Sequence, residues 1–124
     1  MPHLNSELTM VLGASPNPIR FSYKAVKSLL RHNKKVVAVG FREGIIEEQK
    51  ILIGKPRVEG VHTVSMYIGS SRQTEFYDYI ISLNPKRVIF NPGTINPEFM
   101  GKLNHLGIEP IDACMLVMLH EGTY

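Results

Sequence analysis

At 124 residues the chain has the length of one domain, enough to bury about two thirds of its unfolded surface. Its 44% apolar and 20% charged residues are ordinary for a globular protein, and the net charge of +3 favours anionic small molecules without the Lys/Arg stripe that would argue for nucleic acid. No apolar stretch approaches the about 18 residues of a membrane span, and the single cysteine, Cys114, has no partner for an internal disulfide, which fits a reducing cytoplasm.

Residues 1 to 7 are polar, lack the apolar run of a secretory signal and read as a loose lead-in. Leu8 to Leu12 is a short apolar run, expected as strand one. Small and turn-forming residues follow, from Gly13 to Pro18. Tyr23, Val26, Leu29 and Leu30 then recur at helical spacing, which predicts helix one over about 20–32, closing near Asn33. The basic stretch Lys24 to Lys35 fits that helix's solvated face. Lys35 to Gly40 reads as strand two, parallel to strand one in a right-handed βαβ unit. Ile45 to Ile53 suits either a short helix or an extended segment. His62 to Ile68 is strand three. Ser70 and Ser71 are expected to cap a helix over about 72–83, ended by Asn84-Pro85. Arg87 to Phe90 is strand four. Asn96 and Pro97 open the next helix as N-cap and first helical residue, and Gly107 closes it. Ile108 to Asp112 is strand five. Cys114 to Leu119 is a short buried helix with a tail behind it, although Met115 and Met118 also suit a homodimer contact.

Alternating strands and helices imply one α/β domain: a doubly wound, Rossmann-like fold with a mostly parallel five-stranded sheet and helices on both faces. Ligands of such sheets sit beyond the carboxyl ends of the strands. Here that edge brings together Gly13 to Arg20, Gly40 to Arg42, Ile68 to Ser71 and Asn91 to Asn96.

The junction of strand one and helix one carries the chemistry. Helix N-termini present free N–H groups and the positive end of a dipole, which attract phosphates. Gly13-Ala14-Ser15 matches only the first glycine of the dinucleotide fingerprint G-x-G-x-x-G. Gly13 allows a tight turn, and Ser15 keeps a small side chain, with a hydroxyl donor, where a backbone would approach a diphosphate. After strand two, Gly40-Phe41-Arg42 stands where an NAD site places an acid for the ribose hydroxyls. Arg42 suits a phosphorylated ribose, either the 2′-phosphate of NADP or the 3′-phosphate of coenzyme A (CoA). It equally suits a solvated surface arginine.

Val11-Leu12-Gly13-Ala14-Ser15, then Ser22-Tyr23-Lys24-Ala25-Val26, Leu30 and the valine-rich second strand resemble the small single-domain CoA-binding proteins. These are similar to the CoA-binding domains of succinyl-CoA synthetase and ADP-forming acetyl-CoA synthetase. Phe90 to Glu98 and Ala113 to Leu119 look like the bacterial branch. The resemblance covers nearly the whole chain and implies a Rossmann-like fold, CoA as ligand and an unassigned physiological role. It implies that Gly13, Ala14 and Ser15 line the diphosphate, with Arg20, Ser22, Tyr23 and Lys24 at the helix start beside it. Gly40, Phe41 and Arg42 would meet the adenosine 3′-phosphate end. Ile68 and the loop of Asn91, Pro92, Gly93 and Thr94 would face the pantetheine. The chain departs from its relatives after strand two, where many have a Val-Asn-Pro-like turn in place of Val39-Gly40-Phe41-Arg42.

Other chemistries find little support. Cys114 and His120 lie six residues apart, off the three-or-four spacing of helix neighbours. The five histidines lack metal-ligand spacing, and Glu47-Glu48 reads as a solvated pair. Without a convincing acid, base or nucleophile, the expectation is non-catalytic binding of CoA or an acyl-CoA, as carrier, sensor or partner module of an acyl-CoA enzyme. An NADP-dependent oxidoreductase or another nucleotide-binding enzyme is the alternative.

Overall fold

The computed structural model describes residues 7–124, so the expected lead-in lies almost wholly outside the described residues. Seven strands form one sheet: β1 (Leu8–Ala14), β2 (Lys35–Gly40), β3 (Ile45–Ile46), β4 (Gln49–Ile53), β5 (Val61–Met66), β6 (Arg87–Phe90) and β7 (Glu109–Asp112). Four helices accompany them: α1 (Phe21–Arg31), α2 (Tyr77–Leu83), α3 (Pro97–His105) and α4 (Met115–Glu121). The strand order is β3-β4-β2-β1-β5-β6-β7, and every pair except β3–β4 is parallel. Counted along the chain, the parallel strands lie in the order 3-2-1-4-5-6 of dinucleotide-binding folds. β1 sits at the centre, where the winding reverses direction.

Alternation along β1 sends side chains to both faces, and a register shift between Leu12 and Ala14 moves Ala14 to the face of Val11. Met10 and Leu12 join Ile80, Phe99 and Leu103 of α2 and α3 on one face. Val11 and Ala14 join Ala25, Val26 and Leu29 of α1 and Met115 and Leu119 of α4 on the other. Met115 therefore belongs to the core and is not offered to a second copy of the chain. Tyr77 and Phe99 stack with ring centroids 4.1 Å apart, and Phe90 meets Phe99 edge-on at 6.1 Å.

The expected five strands become seven because residues 45–53 fold as a hairpin. Ile45 pairs with Lys50 and Ile46 with Gln49, leaving the two-residue turn Glu47-Glu48. Both glutamates are left-handed, at φ 49° and 73°. Tight hairpins need this conformation and usually take Asn or Gly for it. Two glutamates carry no such signal, and each costs on the order of 1 kcal/mol of backbone strain. Lys27 of α1 steadies the turn through its ammonium, 3.7 Å from Glu47.

The segment after β5 also departs from expectation. Neither Ser70 nor Ser71 caps a helix. Two 3₁₀ turns, Ser70–Arg72 and Thr74–Phe76, come first, and α2 begins only at Tyr77. The α3 start is as expected: the Asn96 side chain accepts from the Phe99 N–H at 3.1 Å, with Pro97 at the first helical position. The residues after α4 are tied down. The Tyr124 hydroxyl meets that of Thr9, and its carbonyl oxygen accepts from Arg87 at 3.1 Å.

Candidate ligand-binding site

A cavity of about 610 Å³ opens at the carboxyl edge of the sheet, bounded by the exits of β1, β2, β5 and β6 and the starts of α1 and α4. That volume falls within the usual range of small-molecule sites.

Its floor is the β1 exit. Gly13 has φ +99°, and a Cβ there would stand 3.0 Å from the Tyr67 carbonyl carbon and from Ile68 Cγ1. The glycine thus lets β1 press against the β5 exit while the chain turns. The Ser15 hydroxyl accepts from the Asn17 N–H at 3.1 Å, and the Asn17 side chain accepts from the Ile19 N–H at 3.0 Å. Proline at 16 and 18 stiffens the same loop. It delivers the chain to Arg20, whose side chain does not cap α1. The leading amides of α1 have no intrahelical acceptors, no side chain caps them and no acid stands in the first turn, and Phe21 and Ser22 of that turn line the cavity.

Among the expected site residues, Gly13, Ala14, Ser15, Arg20 and Ser22 line the cavity from the β1–α1 side. Phe41, Arg42, Ile68, Asn91, Pro92 and Thr94 line it from the other strand exits. Four do not. Tyr23 packs with the α1/α4 face, Lys24 is exposed over the Phe21 ring, and Gly93 is exposed at the tip of its turn. Gly40 lines an adjoining apolar cavity of about 150 Å³ beside Phe41, Ile53 and Phe76.

Asn91, buried to 1% exposure, is fully engaged by the protein. Its amide donates to Ser65 Oγ and the Met66 carbonyl at 2.9 Å each, and its oxygen accepts from the Met115 N–H at 2.8 Å. It therefore braces the wall and offers no free group to a ligand. Gln73, fully buried, carried no signal in the sequence. Its amide donates to the carbonyls of Ile68 at 2.8 Å and Thr94 at 2.7 Å, one on each of two walls. Its oxygen accepts from Asn96 at 3.0 Å.

The charge of the lining is one-sided. Arg20, Arg42 and Arg72 contribute guanidinium groups, and no carboxylate lines the cavity. Among the described residues the ion pairs involve Lys27 and His62, and none of the three arginines. Arg72 lies beyond the edge expected from the sequence, which stopped at Ser71.

Tyr67 was likewise unexpected. Its hydroxyl is buried without a hydrogen-bond partner. Burial pushes its pKa up, while the nearby Ser65 hydroxyl, already accepting from Asn91, pulls weakly the other way. Tyr67→Phe should therefore stabilise the protein by about 0.5–1 kcal/mol, because an unsatisfied buried polar atom is removed. The folded state keeps this proton above the unfolded value of about 10, so wild-type stability falls as pH rises past it and the variant should fall less steeply. Urea melts at pH 8 and pH 10.5 measure both effects, and a loss of stability at pH 8 would contradict the reading.

Comparison with known proteins bears on this geometry. A family model described as a CoA binding domain matches residues 7–120. The chain belongs to the CoA-binding domain family. A crystal structure of an uncharacterized protein is 44% identical, with a TM-score of 0.93 over 95% of this chain and 98% of the other. A Thermus thermophilus protein is 22% identical, with a TM-score of 0.85 over 95% and 90% of the two chains. A hypothetical protein from Pyrococcus horikoshii is 24% identical, with a TM-score of 0.81 over 93% and 82%. The last two likenesses concern the fold alone. No curated protein matches the sequence. In this member of the CoA-binding family, the large cavity lies against the phosphate-attracting end of α1. A lining with three guanidinium groups and no acid favours an anionic ligand.

Proposed function

We propose that this chain binds CoA or an acyl-CoA without itself performing a reaction, as a carrier, a sensor or a module lent to a partner. The observation that carries this reading is a cavity at the start of α1 whose only charged lining residues are three arginines, in a chain of the CoA-binding domain family. The diphosphate would lie against Gly13 to Ser15 and the first amides of α1. Arg42 would take the 3′-phosphate, and the small apolar cavity beside Phe41 and Phe76 would take the base. The pantetheine would run past Tyr67 and Ile68 towards Cys114 and Leu116. When bound, CoA supplies a thiol able to carry an acyl group. No aspartate, glutamate or histidine faces that path to act as acid or base.

Thermal melting with CoA, acetyl-CoA, NADP and NAD tests this. At a hundred times its dissociation constant a ligand that binds only the folded state adds about 2.7 kcal/mol, or about 10 °C for a chain of this length. CoA and acetyl-CoA are expected to give such a rise. Selective stabilisation by NADP would replace this reading with that of a nucleotide-dependent enzyme. No shift with any of the four would favour a pure interaction protein.

A further inference from the structure

Arg72 has a place in the CoA site, and its role rests on the CoA reading above. In the sheet, β2 and β5 flank β1 on opposite sides. Phe41 follows β2, and Arg72 closes the 3₁₀ turn after β5. Nevertheless the Arg72 guanidinium carbon lies 4.1 Å from the centroid of the Phe41 ring. The pair therefore bridges the carboxyl end of β1, and both side chains line the cavity whose floor is Gly13 to Ser15. Phe41 is itself braced edge-on by Phe76 at 5.9 Å.

Arg72 is exposed, but its backbone is well anchored. Its N–H donates to the Gly69 carbonyl at 3.0 Å, and the next residue is the buried Gln73. One face of the guanidinium is occupied by the ring, and no carboxylate pairs with it among the described residues. Its N–H edge is left to meet an anion. A planar fork held in place by stacking matches two phosphate oxygens and loses little freedom on doing so.

We propose that Arg72, held over the β1 exit by Phe41, clamps the diphosphate of the ligand from the side opposite the α1 amides. It is a specificity-determining residue for diphosphate-bearing ligands. This role differs from that proposed above for Arg42, which would take the 3′-phosphate.

The test compares wild type, Arg72→Ala, Arg72→Lys, Phe41→Leu and Arg42→Ala by calorimetric titration of the full chain with CoA, dephospho-CoA, ADP and pantetheine. Arg72→Ala should weaken CoA, dephospho-CoA and ADP by a common factor of about ten or more, the lower end for a charge-assisted contact. Pantetheine binding and the melting temperature should not change. Arg72→Lys should recover only part of the loss, and Phe41→Leu should weaken these ligands less in the Arg72→Ala background than in wild type, because part of its effect runs through Arg72; equal losses in the two backgrounds would overturn the role given to Phe41. Arg42→Ala should weaken CoA alone. Arg72→Ala affinities within twofold of wild type would overturn the proposal, as would a loss confined to CoA. The CoA reading fails separately: wild type binding ADP as tightly as CoA would remove it, while the Arg72 effect would still be read on ADP. Wild type binding none of the four probes would remove both.

Discussion

Gly40→Ala is expected to destabilise the protein by at least about 3 kcal/mol, because its methyl would collide with the backbone of β1. For a chain of this length that lowers the melting temperature by roughly 10–15 °C. An added Cβ at Gly40 would stand 2.0 Å from the Ala14 carbonyl oxygen and 3.0 Å from its carbon. Those atoms belong to the backbone of the neighbouring strand, whose Ala14 is paired in register with Gly40. No flexible side chain can give way, so β1 and β2 must separate at the point where β1 enters the phosphate-attracting loop. Stability and CoA affinity should fall together. Gly69→Ala is the control. Gly69 lines the main cavity, but has φ −60° and nothing within 4 Å of its added carbon. It should stay within about 0.5 kcal/mol of wild type. A Gly40→Ala protein melting within 2 °C of wild type, on the order of half a kcal/mol, would show that the β1–β2 contact is looser than described.

Asn91→Asp should cost about 3–5 kcal/mol at pH 7.5, a near-isosteric change with a large effect. The Met66 carbonyl now 2.9 Å from the Asn91 amide nitrogen would instead face a carboxylate oxygen, with no hydrogen between them. The new charge would be buried, without a cation among its hydrogen-bond partners Ser65, Met66 and Met115. Protonation restores a donor. The folded variant therefore holds its proton above the unfolded aspartate value of about 3.9. Its deficit relative to wild type should be small near pH 4 and grow as pH rises through the raised folded value. Paired urea melts at pH 4.5 and pH 7.5 measure this. A deficit independent of pH would mean that the amide is not the donor to Met66.

The stretch from Leu8 to Arg31 was readable because local and tertiary demands agree there. An apolar run, a glycine required at φ +99° and a helical stripe of Val26, Leu29 and Leu30 all point to one strand–turn–helix. The α3 start was equally plain, since Asn96 and Pro97 are strong local cues. Reading failed where the tertiary structure overrides local preference. Glu47-Glu48 adopts a left-handed turn that glutamates seldom take, so the hairpin and its extra strands gave no sign. The helix expected from residue 72 starts at Tyr77, because Gln73 turns inward to bond two distant carbonyls and the chain stays in 3₁₀ turns around it. Arg72, Tyr67 and Cys114 reach the cavity through that same folding, and a linear pattern holds no record of which walls will meet. Asn91 shows the converse: its position at the edge was foreseen, but its hydrogen-bonding capacity is already filled by the protein.

The single amide of Gln73 joins the backbones of Ile68 and Thr94. Because they share this tie, parting the two banks would break two buried hydrogen bonds, at about 1 kcal/mol or more each, which favours ligand exchange through a cleft whose walls stay together. Release would then be timed by side-chain rotation at the mouth, a nanosecond event, and by the breaking of ionic contacts. Residence time would accordingly shorten as ionic strength rises.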